Sequence, residues 1–158
     1  MLIELSMPVT IALNVGGWPI IQLLSAWAFM RMPARCFGAP RPFRWERDGG
    51  VYDRLFRPRK WKHLLPEGAT WFTGGIAKRK LVGRDPATRR ALARETWRGE
   101  LCHWFVIACT PVFFLWNPVW ADAIMIAYAL AANMPCILVQ RYNRARVYRL
   151  RLAARQAD

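Results

Sequence analysis

Glu95-Thr96-Trp97-Arg98-Gly99-Glu100-Leu101-Cys102-His103-Trp104 places two carboxylates, an arginine and a histidine in one short run. Directly after it the chain turns apolar, and from Phe105 to Val139 the only formal charge is Asp122. Charged groups inside a bilayer are costly and mark function. The cluster is therefore predicted to sit where a helix enters a membrane.

The rest of the chain fits that reading. Val119 to Val139 is apolar apart from Asp122 and Asn133. Pro8 to Met30 carries no charge and would reach roughly 34 Å as a helix, enough to cross a bilayer. A signal peptide is the competing reading, but no basic leader precedes the run and no small-residue cleavage motif follows it. Gly16, Gly17 and Pro19 permit close helix contact or a kink. Asn14 and Gln22 call for polar partners or water. Between Leu101 and Trp116 only about 24 Å of helix is available, interrupted by Pro111, so that limb either spans or is re-entrant. Asn117-Pro118 makes the turn. The expected fold is an all-α integral membrane protein of one domain, with about three transmembrane or re-entrant helices and a basic cytoplasmic interfacial loop. The expected segments are a span at 8–30, an interfacial region at 31–85, a helix at 86–116 starting on Asp85-Pro86, a span at 119–139 and a basic tail at 140–158.

Charge sets the orientation. The formal net charge is +14, with 24 Lys and Arg against 10 Asp and Glu. None of the bases precedes Arg31; 18 lie in residues 31–100 and six from Arg141 onward. Basic flanks stay cytoplasmic, which places the N-terminus outside and the C-terminus inside a bacterial-type cell membrane. Residues 31–84 interleave aromatics with bases, suiting a segment that lies on headgroups. Gly74-Gly75 marks a turn there, and Lys78-Arg79-Lys80 reads as a solvated or lipid-facing run. Nucleic-acid binding is disfavoured, because basic domains of that kind do not carry two long apolar runs. Cys36, Cys102, Cys109 and Cys136 form no CxxC pair, so the sequence signals no disulfide framework and no zinc site. They are expected to be buried thiols.

On a helix, Thr96, Gly99, Glu100 and His103 share a face, and Glu100 and His103 are three apart and can touch. Arg98 points away and can pair with Glu95. A carboxylate that fixes the tautomer of an imidazole supports it as a general base, and the gap at Gly99 could admit a hydroxyl. The plainer reading is that the pair anchors the helix end. Asn133, Gln140, Arg141, Asn143 and Arg144 gather at the end of the last apolar run and could grip phosphate, carboxylate or sugar hydroxyls. Arg59-Lys60-Trp61-Lys62-His63 is a headgroup-facing patch or a site for a phosphorylated donor.

Three motifs in this order carry a resemblance. They are Arg59-Lys60-Trp61-Lys62-His63, then Glu95-x-x-Arg98-x-Glu100-x-x-His103-Trp104, then Asn133-x-Pro135-x-Ile137 with Gln140-Arg141-Tyr142-Asn143-Arg144. Together they resemble the glycosyl-4,4′-diaponeurosporenoate acyltransferase family, small membrane enzymes that place a fatty acyl chain on a sugar hydroxyl of a glycosylated carotenoid. The likeness spans roughly Arg57 to Arg146 with a similar N-terminal apolar segment; the stretch around Gly74-Gly75 does not match. It implies His103 as the base, with Glu100 orienting it and Glu95 nearby. Arg59, Lys60, Trp61, Lys62, His63, Arg98, Arg141 and Arg144 are the expected binding residues for donor phosphates or the acceptor head. Asn133, Gln140 and Asn143 are the expected donors to the acyl carbonyl. The co-substrate would be acyl-CoA or another acyl donor, with no cofactor and no metal. No Ser or Cys adjoins a His in a nucleophile arrangement except Cys102, whose side chain lies about 100° round the helix from His103, so direct transfer is expected. His103→Ala and Glu100→Gln are each expected to abolish turnover while the protein still folds. The alternatives are a non-enzymatic module docking anionic lipids or a partner enzyme through the basic surface, and a lipid-ester hydrolase using the same pair. The partners are membrane lipids, a lipid-like acceptor and the acyl donor; self-association stays open.

Overall fold

Among the described residues five α-helices carry the fold. The structure, a computed structural model, describes residues 2–46, 49–65 and 86–157. The expectations for Asp85 as a helix cap, for Gly74-Gly75 and for Lys78-Arg79-Lys80 fall outside the described residues. Helix α1 runs Met7–Arg31 and opens on Pro8, whose missing N–H costs nothing in a first turn. It ends where the Met32 N–H closes on the Ala28 carbonyl, just before Pro33. Two short helices follow, α2 (Gly50–Leu55) and α3 (Pro58–Trp61). Gly49 precedes α2 at φ +73°, and Arg57 precedes α3 at φ +48°. Helix α4 spans Pro86–Ala108 and α5 spans Val119–Ala157. Among the described residues there is no strand.

One expectation is corrected here. The helix from Pro86 does not continue to Trp116: it stops at Ala108, and Thr110–Leu115 forms a tighter 3-10 coil. Pro111 has no N–H to give an α-helical bond and crowds the preceding turn. The basic tail that follows the apolar run is helical. α5 continues unbroken through Pro135 and carries the basic segment as helix to Ala157.

Two helices are long and apolar enough to cross a membrane, Met7–Arg31 and the stretch Val119–Ala153 of α5. This is an all-α membrane protein. Most of α1 faces outward, with Val9, Ile11, Leu13, Val15, Ile20, Leu23, Leu24 and Trp27 exposed. The third limb, α4 followed by the 3-10 coil, reaches the level where α1 begins, since the Leu2 and Ile3 N–H groups both donate to the Leu115 carbonyl at 2.8 Å. A 3-10 coil rises about 2.0 Å per residue against 1.5 Å for an α-helix, which lengthens this short limb.

Polar residues in the apolar layer pair off. Asn14 and Asn117 exchange both amide bonds, at 2.9 and 3.0 Å, and Trp116 Nε1 donates to Asn14 Oδ1 at 2.9 Å. An unpaired amide in lipid would be costly, so the three together pin α1 to the 117–118 turn. Beneath them Trp18 stacks on Phe113 with centroids 4.8 Å apart and joins Val106 and Ala129 in the core. The close approach needs Gly17, where an added Cβ would sit 3.0 Å from the Phe113 ring; Gly16 faces open space. Of the close contact or kink expected from Gly16, Gly17 and Pro19, the close contact is present at Gly17.

α4 and α5 run antiparallel and form the main interface. Arg89 Nη1 donates to the Leu150 carbonyl near one end, and Val106 meets Ala129 near the other. Across this hairpin lies the segment 33–46, with Phe37 and Pro42 buried.

Candidate functional site

A polar seam runs along the α4–α5 interface. At 100° per residue, Ala93, Thr96, Glu100 and His103 share one face of α4, and Asn133, Ile137, Gln140, Arg144 and Arg151 share one face of α5. Ala93, Thr96, Glu100, Asn133, Ile137, Gln140 and Arg144 are all buried.

Glu100 is fully buried. Its Oε1 accepts from Arg141 Nε at 2.7 Å and its Oε2 from Arg144 Nη1. Trp104 Nε1 adds a long contact at 3.4 Å. Arg141 reaches on to Glu46, whose Oε1 lies 3.5 Å from Arg141 Nη1. Glu46 is itself buried and accepts from the Tyr52 hydroxyl and from the Phe43 backbone N–H. Burial and the neighbouring Glu46 hold the Tyr52 phenol well above its ordinary range, so it stays a donor. Charges in such a place are tolerated only when paired and hydrogen-bonded.

His103 sits a turn further along α4, and its partner is Asn133. Its Nδ1 lies 2.9 Å from Asn133 Oδ1. The Asn133 Nδ2 group donates to the Ala129 carbonyl at 2.9 Å. That second bond fixes which end of the amide faces the ring, because only the NH2 end can serve a carbonyl. Nδ1 must then carry the proton, and Nε2 carries the lone pair in the neutral ring. Glu100, expected to orient His103, instead gives both oxygens to Arg141 and Arg144. The geometric reason is that Arg141 and Arg144 bracket Glu100 from α5, whereas Asn133 is the α5 residue level with His103.

The other expected residues divide clearly. Arg98 is buried and bonds Glu95, with Met30 Sδ at 3.3 Å and the Phe37 ring 5.9 Å away, so both act as a clamp between α4, α1 and the 33–46 segment. Gln140 lies against Gly99, where a Cβ would come within 2.8 Å of its Nε2. Asn143 is half-buried on α5, off the seam. Arg141 and Arg144, expected on phosphate, are engaged by Glu100. Arg59 pairs with Asp53 at 3.0 Å and donates from Nε to the Tyr142 hydroxyl at 2.8 Å. Lys62 stands over the Tyr142 ring, and burial, with Arg146 and Arg59 close by, pushes its ammonium down from its ordinary range. Trp61 donates to the Phe56 carbonyl at 2.7 Å, which closes the local turn, while Lys60 and His63 are exposed. Cys36 is exposed rather than buried; Cys102, Cys109 and Cys136 are half-buried. Among the described residues no three His, Cys, Asp or Glu side chains converge as a metal site would require.

Sequence reasoning missed Glu46 and Tyr52. A signal existed: Glu46 is the sole acid among the bases from Arg31 to Arg47.

The chain was compared with known proteins. A family model described as glycosyl-4,4′-diaponeurosporenoate acyltransferase matches residues 33–152. The protein of that name from Staphylococcus haemolyticus (strain JCSC1435) is 34% identical over 143 residues, covering 85% of this chain and 82% of its own. The one from Staphylococcus aureus (strain USA300) is 35% identical over 138 residues, covering 84% and 82%. No solved structure matches. The matched region contains the whole His103–Asn133 and Glu100–Arg141–Arg144 seam, and on this evidence the chain belongs to the glycosyl-4,4′-diaponeurosporenoate acyltransferase family.

Proposed function

We propose that this acyltransferase moves a fatty acyl chain from an activated donor onto a sugar hydroxyl of a lipid-like acceptor, such as a glycosylated carotenoid, with His103 as general base. The relatives' names support the acceptor class. One observation carries the base: His103 Nδ1–H is committed to Asn133 Oδ1, which leaves the basic lone pair on Nε2. Nε2 takes the proton of the acceptor hydroxyl as its oxygen attacks the acyl carbonyl carbon. The tetrahedral adduct collapses, the donor's leaving group departs, and the imidazolium returns the proton to it. Transfer is direct, with no acyl-enzyme.

The other seam residues act through position. Glu100 with Arg141 and Arg144 locks α4 to α5, and Asn133 orients the ring. The amide of Gln140, beside Gly99, is placed to donate to the oxygen that gains charge in the adduct. The outward apolar face of α1 suits acyl and acceptor tails. The N-terminus lies outside and the basic residues face the cytoplasm, which puts His103 toward the cytoplasmic side of the membrane.

The test is an acyl-transfer assay with labelled long-chain acyl-CoA and a panel of glycolipid acceptors, read by mass. Loss of a general base lowers the rate about 10²–10⁴-fold. His103→Ala is expected to lose at least about 10²-fold while its melting temperature stays at the wild-type value. Wild-type turnover in His103→Ala would refute the reading.

A further inference from the structure

The corner between α2 and α3 carries Arg54-Leu55-Phe56-Arg57, two apolar residues between two bases. All four are exposed, Leu55 at 69%. The corner is held by its own backbone. The Phe56 and Arg57 N–H groups both donate to the Tyr52 carbonyl, at 2.9 and 3.1 Å, and Trp61 Nε1 donates to the Phe56 carbonyl at 2.7 Å. Arg57 sits at φ +48°, a left-handed conformation that is uncommon for a residue with a side chain and disfavoured before a proline. The inner side of the same segment is occupied. Buried Tyr52 donates to Glu46, which reaches Arg141, while Arg59 Nε and Lys62 meet Tyr142. Leu55 and Phe56 are thus held on an outward tip. Phe43 and Trp45, stacked with centroids 6.3 Å apart, extend the exposed apolar surface beside it.

We propose that this corner seats in the leaflet at the basic end of α5, with Leu55 and Phe56 inserted below the headgroups and Arg54 and Arg57 on the phosphates of anionic phospholipids. The inference stands apart from the acyl-transfer chemistry. Level identifies the occupant. Arg141 and Tyr142, which receive the inner side of the segment, follow the apolar run of α5 directly, about 3–5 Å beyond Val139 along the axis. The headgroup layer on each side of the hydrocarbon is roughly 5–8 Å deep. The corner therefore stands where headgroups begin. Its chemistry suits that layer: apolar side chains enter the acyl boundary, and long basic side chains reach back to the phosphates. Arginine forks match phosphate oxygens. Seating the corner also steadies Glu46 and Tyr52 on its inner side, and through them Arg141 at the cytoplasmic end of the seam.

The experiment uses the full-length protein in nanodiscs of phosphatidylcholine with phosphatidylglycerol. Cys36→Ser removes the exposed native thiol and serves as the labelling blank. In that background Phe56→Cys carries a bimane fluorophore, and Leu150→Cys, exposed on α5 about 15 Å beyond Gln140, is the control. A lipid bearing a nitroxide just below its headgroup is expected to quench the label at 56 more strongly than the label at 150, and iodide in the water to do the reverse. A label at 56 as open to iodide as the one at 150 would overturn the proposal. So would a label at 56 shielded from both quenchers in a protein that runs as a dimer, since a second copy would then cover the corner. The bases are tested by native mass spectrometry of the lipids retained from the mixed discs. Each base near an anionic surface adds about fivefold, so Arg54→Gln with Arg57→Gln should lower the preference for phosphatidylglycerol over phosphatidylcholine by ~10-fold or more. Both residues are exposed, so the double variant should melt as the wild type does. Arg54→Lys with Arg57→Lys should keep most of the preference. A correctly melting Gln variant with wild-type lipid preference would overturn the assignment of the two arginines.

Discussion

Replacing Glu100 by Gln should cost folding stability before it costs chemistry. The side chain is fully buried, and Arg141 and Arg144 approach its two oxygens from α5. Glutamine keeps the shape and removes the charge. Arg141 retains Glu46 at 3.5 Å. Arg144, itself buried, is left facing no carboxylate among the described residues. Removing one partner of a buried ion pair costs about 3–5 kcal/mol. For a chain of this size each kcal/mol shifts the melting temperature by roughly 2–4 °C, so a drop of roughly 6–20 °C is expected. The assay is thermal unfolding in detergent, followed by light scattering and tryptophan emission. Glu100→Gln combined with Arg144→Gln removes both charges and should recover at least about half of the loss, because the stranded cation is gone. This reverses the expectation from sequence spacing, in which Glu100→Gln leaves folding intact and removes only turnover. A single variant melting within about 1 °C of wild type, or a double variant no more stable than the single, would refute the reasoning.

Gly99→Ala gains about 1 kcal/mol of helix propensity but forces Gln140 to move, so the melting temperature should stay near wild type while turnover falls; unchanged turnover would show that Gln140 plays no part. Asn133→Asp keeps an acceptor for His103 and adds a charge beside it, so the acidic limb of the kcat/KM profile should move to higher pH, whereas Asn133→Leu should lower kcat without that shift. Tyr52 is held neutral in the fold, above its ordinary value of about 10. Below that pH the phenol is protonated in both states and its contribution is complete. As pH rises past about 10 only the unfolded chain loses the proton, and stability declines. Tyr52→Phe should therefore flatten the alkaline limb of melting temperature against pH, and an unchanged limb would exclude Tyr52 as its source.

The helical architecture was legible because bilayer length and charge asymmetry are properties of whole segments. Pro8 to Met30 and Val119 to Val139 announce themselves without any contact being known. Helix ends were harder, because they depend on what the next residues do. Pro111 broke α4, yet Pro135 did not break α5, since bonds on either side of a single missing N–H carry the helix on. The seam was half legible. Periodicity placed Thr96, Glu100 and His103 on one face, but it is blind to which α5 residue stands opposite. That register decides that Asn133 meets His103 and that Arg141 and Arg144 meet Glu100. Glu46 was out of reach for the same reason, since its link to Arg141 crosses 95 positions of chain.

The seam answers its own charges in pairs. The ion pairs across this interface join Glu46, Glu95 and Glu100 with Arg98, Arg141 and Arg144. Within this set the interior is neutral, as burial demands. The screening that water, headgroups and counter-ions give to exposed bases is weak for these six groups, so each depends on its partner.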